Sequence, residues 1–341
     1  MSKGSLPIPH HFQPQKVGKL WRVSYQERFN DAIAWSKLHS ITPAHEDSAG
    51  ICLILVDVQN TFCLPDFELY VGGRSGTGAI DDNVRLCQFI YKNLHRITQI
   101  SPTMDTHQTH QIFHSIFLVD QDGEHPPPYT LITEEEIKAG KWKINPDIPT
   151  SIGLEPSYAQ SYLEYYVHKL HVAGKYDLTI WPYHAMLGGI GHALVPAIEE
   201  AIFFHSVARY CQPDFQIKGL NALTEHYSVI GPEVMEDHEG KNIATRNNVF
   251  VEKLTQFGKV IIAGQAKSHC VAWTIDDLLK EIQATEEELV RKVYLLEDCT
   301  SPVVIEGVID YTQEADRSFQ RFANAGMHIV QSNTPIEDWP A

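Results

Sequence analysis

The segment VIIAGQAKSHCVAWTIDDLL (260–279) constrains this chain more than any other stretch. Its first five residues are apolar without alternation, as a strand buried on both faces requires. A short polar turn follows, and a helical pattern opens at Cys270 itself. A strand that feeds a helix through a tight turn is a unit of a parallel sheet, and open α/β sheets place their chemistry at the carboxyl ends of such strands. A thiol at a helix N-terminus faces unpaired N–H groups and the positive end of the macrodipole, so the expectation is a pKa lowered toward the thiolate. Those N–H groups also suit the oxyanion that forms when a thiolate attacks a carbonyl. A free cysteine elsewhere is usually a small buried hydrophobe. Its position is what singles Cys270 out.

Other segments repeat the pattern. ICLILVDV (51–58) is an apolar run of strand length that contains Asp57 near its end. Ile80, Val84, Leu86, Phe89, Ile90 and Leu94 then form a helical stripe over 80–95. A strand over 97–104 runs into Asp105-Thr106-His107, a helix is predicted near 191–208, and a strand over 215–217 meets Lys218. The strand VYLLED (293–298), a helix over 303–325 and the strand MHIV (327–330) complete the series. Strand–helix alternation predicts an α/β fold, a Rossmann-like open parallel β-sheet flanked by helices on both faces. We read residues 1–49 as an extension that wraps the domain, with a helix over 25–38, and 50–335 as one domain. Residues 108–178 interrupt that domain as a long insertion with a helix over 157–170, expected to act as a lid or an oligomer contact. The glycines of GGRSGTG (72–78) follow no strand directly, which argues against a dinucleotide fingerprint.

A net charge of −16 leaves no basic face for nucleic acid or anionic membrane. The six cysteines show no CxxC pairing and read as reduced thiols. The N-terminal stretch lacks an apolar signal-peptide core, and no 18-residue apolar run occurs. The expectation is a soluble cytoplasmic protein.

In a parallel sheet the carboxyl ends of the strands converge on one edge, which would bring Asp57, Asp105, His107, Lys218 and Cys270 together. Asp57 near a thiol can take its proton, and Lys218 can balance the charges. Asp105 and His107, two apart on extended chain, point the same way and make a plausible half of a divalent metal site. His184 is the candidate third ligand, because His110 and His114 lie in a polar run that reads as flexible.

Together these segments resemble the isochorismatase-like cysteine hydrolases, and among them most the nicotinamidases. LVDVQNTF (55–62) resembles the strand that carries the family's catalytic aspartate, which implies Asp57 as general base. MDTH (104–107) resembles the D-W-H metal motif and WPYHAMLGG (181–189) resembles W-P-x-H-C-x-x-G-T, which implies Asp105, His107 and His184 as ligands of a divalent ion, zinc or similar. FQIKGLNALTEHYSVI (215–230) resembles the segment with the catalytic lysine, here Lys218. GQAKSHCV (264–271) resembles G-V-A-T-x-Y-C-V, which implies Cys270 as nucleophile, a cis peptide at Gln265–Ala266 and an oxyanion hole at Ala266 and Cys270. Phe62 and Trp181 would then flank the ring of a small amide substrate, and a homo-oligomer is expected. Four positions depart from the family's pattern: Thr61 for Asp, Thr106 for Trp, Ala185 for Cys and Gly189 for Thr. Hydrolysis of another amide or carbamoyl compound, or ligand binding without catalysis, therefore stay open beside a nicotinamidase-like reaction.

Overall fold

Strands that are apolar at nearly every residue need cover on both faces, and this chain supplies it. A computed structural model describes residues 4–340 apart from 175 and 286. The first three residues of the extension, Lys175 of the insertion and Glu286 of the domain thus lie outside the described residues.

Six strands, β1 (Ile51–Val56), β2 (Gln99–Asp105), β3 (Gln216–Lys218), β4 (Lys259–Gly264), β5 (Val293–Leu296) and β6 (His328–Val330), form one sheet in the order β6-β5-β4-β1-β2-β3. Every neighbouring pair is parallel. Successive side chains of a strand point to opposite faces. Leu53 and Leu55 of β1, with Ile261 and Ala263 of β4, accordingly enter one core, while Cys52, Ile54, Val56, Val260 and Ile262 enter the other.

The first core is closed by α2 (Gly78–Lys92) and α4 (Pro196–Arg209), with α1 (Tyr25–Leu38) packed on α4. The second is closed by α5 (Asn248–Thr255), α6 (Cys270–Thr285) and α7 (Thr312–Asn324). Residues before β1 lie against the first core: Leu6, Phe12, Val17 and Ala32 are buried in it. Asp47, also before β1, pairs with the fully buried Arg209.

The insertion has a core of its own. Ile112, Phe113, Phe117, Ile132, Trp142 and Ile144 pack with Tyr162, Leu163, Tyr166 and Val167 of α3 (Pro156–Val172). The tyrosine face of α3 finds its partners within the chain: Tyr162 donates to Leu223 O at 2.9 Å, and Tyr158 donates to Asp237 at 2.7 Å.

Two helices start five or more residues later than expected. The helix expected near 191–208 starts at Pro196, since proline suits the first turn, where its missing N–H costs nothing. The helix expected over 303–325 starts only at Thr312. Before it, Val304–Ile305 and Ile309–Asp310 pair as a hairpin, because β-branched residues flank a turn at Gly307, whose φ is +73°. None of the helices is long and apolar enough to cross a membrane, among the described residues.

Candidate active site

The strand order reverses between β1 and β4, from which the chain steps outward to opposite edges. Ligands of open α/β sheets bind in the crevice at such a switch point. Gly264 lets the two strands run close together there: its φ is +116°, and a Cβ would lie 2.1 Å from Val56 O.

Asp57 follows β1 in a left-handed conformation, φ 46°, that a non-glycine residue adopts at a cost. Thr103 of β2 secures it, accepting the Asp57 N–H at 3.0 Å and donating its hydroxyl to the carboxylate. Asp105 ends β2, Lys218 ends β3, and Cys270 opens α6. Lys218 Nζ lies 2.9 Å from Asp57 Oδ2, 2.9 Å from Asp105 Oδ1 and 3.6 Å from Cys270 Sγ, and it donates to His226 O at 2.9 Å. All four side chains are buried.

Burial pushes the Cys270 thiol well above its ordinary pKa; Lys218 pulls it back, and Asp57 and Asp105 push it further up. The expected low thiol pKa is therefore corrected, because desolvation of the thiolate and the two carboxylates outweigh the pull of Lys218. Burial likewise raises Asp57 against the pull of Lys218. Burial opposes the charge of Lys218 too, yet Asp105 and Asp57 hold its pKa above the usual lysine range. Lys218 is thus held as a cation, while the ionised forms of Asp57 and Cys270 both cost desolvation.

His107 Nε2 is 2.8 Å and His184 Nε2 3.7 Å from the same oxygen, Asp105 Oδ2. Their Nδ1 atoms face backbone carbonyls, Gly219 O at 3.3 Å and Pro182 O at 2.7 Å. A ring that donates from Nδ1 presents the Nε2 lone pair, the arrangement a metal-binding histidine needs. The donor atoms of Asp105, His107 and His184 lie within 4.8 Å of one another, so these residues fit a divalent ion. Gly219, with φ +91°, makes room: a Cβ there would come 2.8 Å from Asp105 Oδ1 and 2.9 Å from His107 Cε1. Burial opposes ionisation of Asp105, but His107 and Lys218 hold its pKa well below the carboxylate range.

Asp105, His107 and His184 border a small cavity, lined also by Phe62, Trp181, Ala266 and Cys270. Gln265–Ala266 is cis, as the resemblance implies. Phe62 meets His184 edge-on at 5.5 Å, and Trp181 Nε1 donates to Glu225 at 2.9 Å.

Sequence reasoning missed several members of this site. His114, read as part of a flexible run, is fully buried with its ring 6.0 Å from that of His107 and 6.4 Å from that of His184. Glu225, His226, Tyr227 and His269 also line the cavity. The last of these adjoins the cysteine, which was the available signal.

No protein-family model and no curated protein sequence matches the chain. Solved structures do. The yeast nicotinamidase superposes at a TM-score of 0.50 with 21% identity, over 82% of this chain and 99% of that one. The yeast enzyme bound to the inhibitor nicotinaldehyde superposes at 0.50 with 20% identity, over 82% and 99%. A nicotinamidase/pyrazinamidase of Acinetobacter baumanii gives 0.49 and 17%, over 84% and 98%. The six-stranded parallel sheet with helices on both faces is thus the isochorismatase-like fold of the yeast nicotinamidase.

Proposed function

We propose that this chain is a metal-using cysteine amidohydrolase that converts a small carboxamide of the pyridine type to the acid and ammonia. The observation that carries the reading is one buried cation, Lys218, within 2.9 Å of Asp57 and 3.6 Å of the Sγ of Cys270, which lines a cavity. A carboxylate beside a buried neutral thiol can take its proton as the carbon–sulfur bond forms.

Asp57 takes the Cys270 proton while the sulfur adds to the amide carbonyl carbon. Lys218 favours the charged form of Asp57 beforehand and offsets the negative charge that moves to sulfur. The carbonyl oxygen becomes an oxyanion, for which the backbone N–H groups of Ala266 and Cys270 are the donors. Asp57 returns the proton to the amide nitrogen, the C–N bond breaks, and ammonia leaves a thioester. Water then adds to the thioester with its proton going to Asp57, and the acid departs as the thiol is regenerated. A divalent ion held by Asp105, His107 and His184 would supply Lewis acidity to hold and orient a ring nitrogen. Phe62 and Trp181 flank the ring and exclude water.

The test is ammonia release by purified, metal-replete protein across nicotinamide, pyrazinamide, aliphatic amides and carbamoyl compounds, with Cys270→Ala as control. Turnover of pyridine-type carboxamides with a thioester on Cys270 seen by mass spectrometry is the expected result. Turnover of carbamoyl compounds alone would move the assignment within the fold, and no ammonia from any compound would overturn it.

A further inference from the structure

Glu225, 3% exposed, lies in the cavity wall with Trp181 and Tyr227. Its Oε1 accepts the Trp181 indole N–H at 2.9 Å and the Tyr227 hydroxyl. The same indole N–H reaches the Tyr227 oxygen at 3.0 Å, so the three side chains close a ring of hydrogen bonds. Two donors fill both lone pairs of that one carboxyl oxygen. The insertion buttresses the group. The fully buried Tyr166 of α3 accepts the Glu225 N–H at 3.1 Å, and Tyr162 donates to Leu223 O at 2.9 Å.

A buried indole needs an acceptor for its N–H, and the place of that acceptor decides how the ring lies. Aromatic side chains also attract a ligand ring best in offset-stacked or edge-to-face geometry, so a wall that receives one must be held against rotation. We propose that Glu225 is a positioning residue, which fixes Trp181 and Tyr227 in the orientation that receives the ring of a ligand. It acts through those two side chains. The inference rests on the reading above that Trp181 flanks a ring, and it adds what holds that flank in place. Burial raises the Glu225 pKa to about 8, so at pH 7 the carboxyl is largely neutral and a glutamine can reproduce its acceptor.

The test is calorimetric binding to the metal-replete protein at pH 7, comparing pyridine-3-carboxylate with butanoate, an acid of the same charge without a ring. In Glu225→Met, which keeps the length of the side chain and removes the acceptor, affinity for pyridine-3-carboxylate should fall about tenfold, the scale of one lost aromatic contact. Butanoate should bind as before. Glu225→Gln should bind both acids as the unaltered protein does. Glu225→Leu carries the same comparison if Glu225→Met does not fold. A preference for the ring that survives without the acceptor, an equal weakening of both acids, or a loss as large in Glu225→Gln would overturn the proposal. An unaltered protein that shows no preference for the ring would instead overturn the reading of Trp181 as a flank, and the proposal with it.

Discussion

Lys218 and Asp105 are register partners at the ends of two adjacent strands, and their side chains close a 2.9 Å ion pair across them. The same ammonium lies 2.9 Å from Asp57. One buried cation therefore joins the carboxylate beside the thiol to the carboxylate beside the histidines. Sheet register sets this spacing, so the two halves of the site are built as a unit.

Lys218→Met should lower stability by about 3–5 kcal/mol, the cost of leaving buried carboxylates without their partner. It should also abolish turnover. Urea unfolding at pH 7 reads the first effect and ammonia release the second. Unaltered stability would mean that the two ion pairs contribute nothing net.

Because burial keeps the Cys270 thiol protonated, alkylation by iodoacetamide at pH 7 should be slow and should accelerate as pH rises. In Asp57→Asn the nearby negative charge is gone, so alkylation at a given pH should be faster while amide hydrolysis falls by about a hundredfold or more. Mass spectrometry of the modified peptide follows the first rate. Alkylation in the variant no faster than in the unaltered protein would show that Asp57 does not act on the thiol electrostatically.

Asp105, His107 and His184 predict one divalent ion per chain. Elemental analysis after removal of loose metal should give about one equivalent, and His184→Ala should lose it while the sheet signature in circular dichroism persists. Undiminished metal in His184→Ala would remove that residue from the ligand set.

Glu225 predicts a pH-dependent stability. Burial raises its pKa from 4.5 to about 8, against hydrogen bonds from Tyr227 and Trp181. The folded state then holds a proton that the unfolded chain releases between those values. Its contribution is complete below pH 4.5 and is lost as pH rises to about 8. Glu225→Gln should flatten that window, with a difference on the order of a few kcal/mol between its ends. Urea midpoints at pH 5 and pH 8 decide the matter, and parallel declines in the two proteins would reject the assignment.

Much of the site was legible before any coordinates. Apolar runs such as ICLILV and KVIIAG can be strands only where both faces are covered, and covered parallel strands bring their carboxyl ends to one edge. Asp57, Asp105, Lys218 and Cys270 could thus be placed together from their positions in such runs. The helix over 25–38 was readable in full, and so was most of the tyrosine-rich helix of the insertion. The hairpin before Thr312 was not, because β-branched runs and short helices share composition when neither is long enough to show a period.

By itself the sequence determined the sheet, the strand ends and which polar side chains sit there, because period and polarity act over a few residues. The tertiary structure alone decided their protonation and their surroundings. Whether Cys270 rests as thiol or thiolate depends on burial and on Asp57, more than 200 positions away in the chain. That His114 is buried and that Glu225 meets Trp181 follow from contacts between segments distant in sequence. Desolvation and hydrogen-bond partnership are properties of the packed site, and no local pattern of residues encodes them.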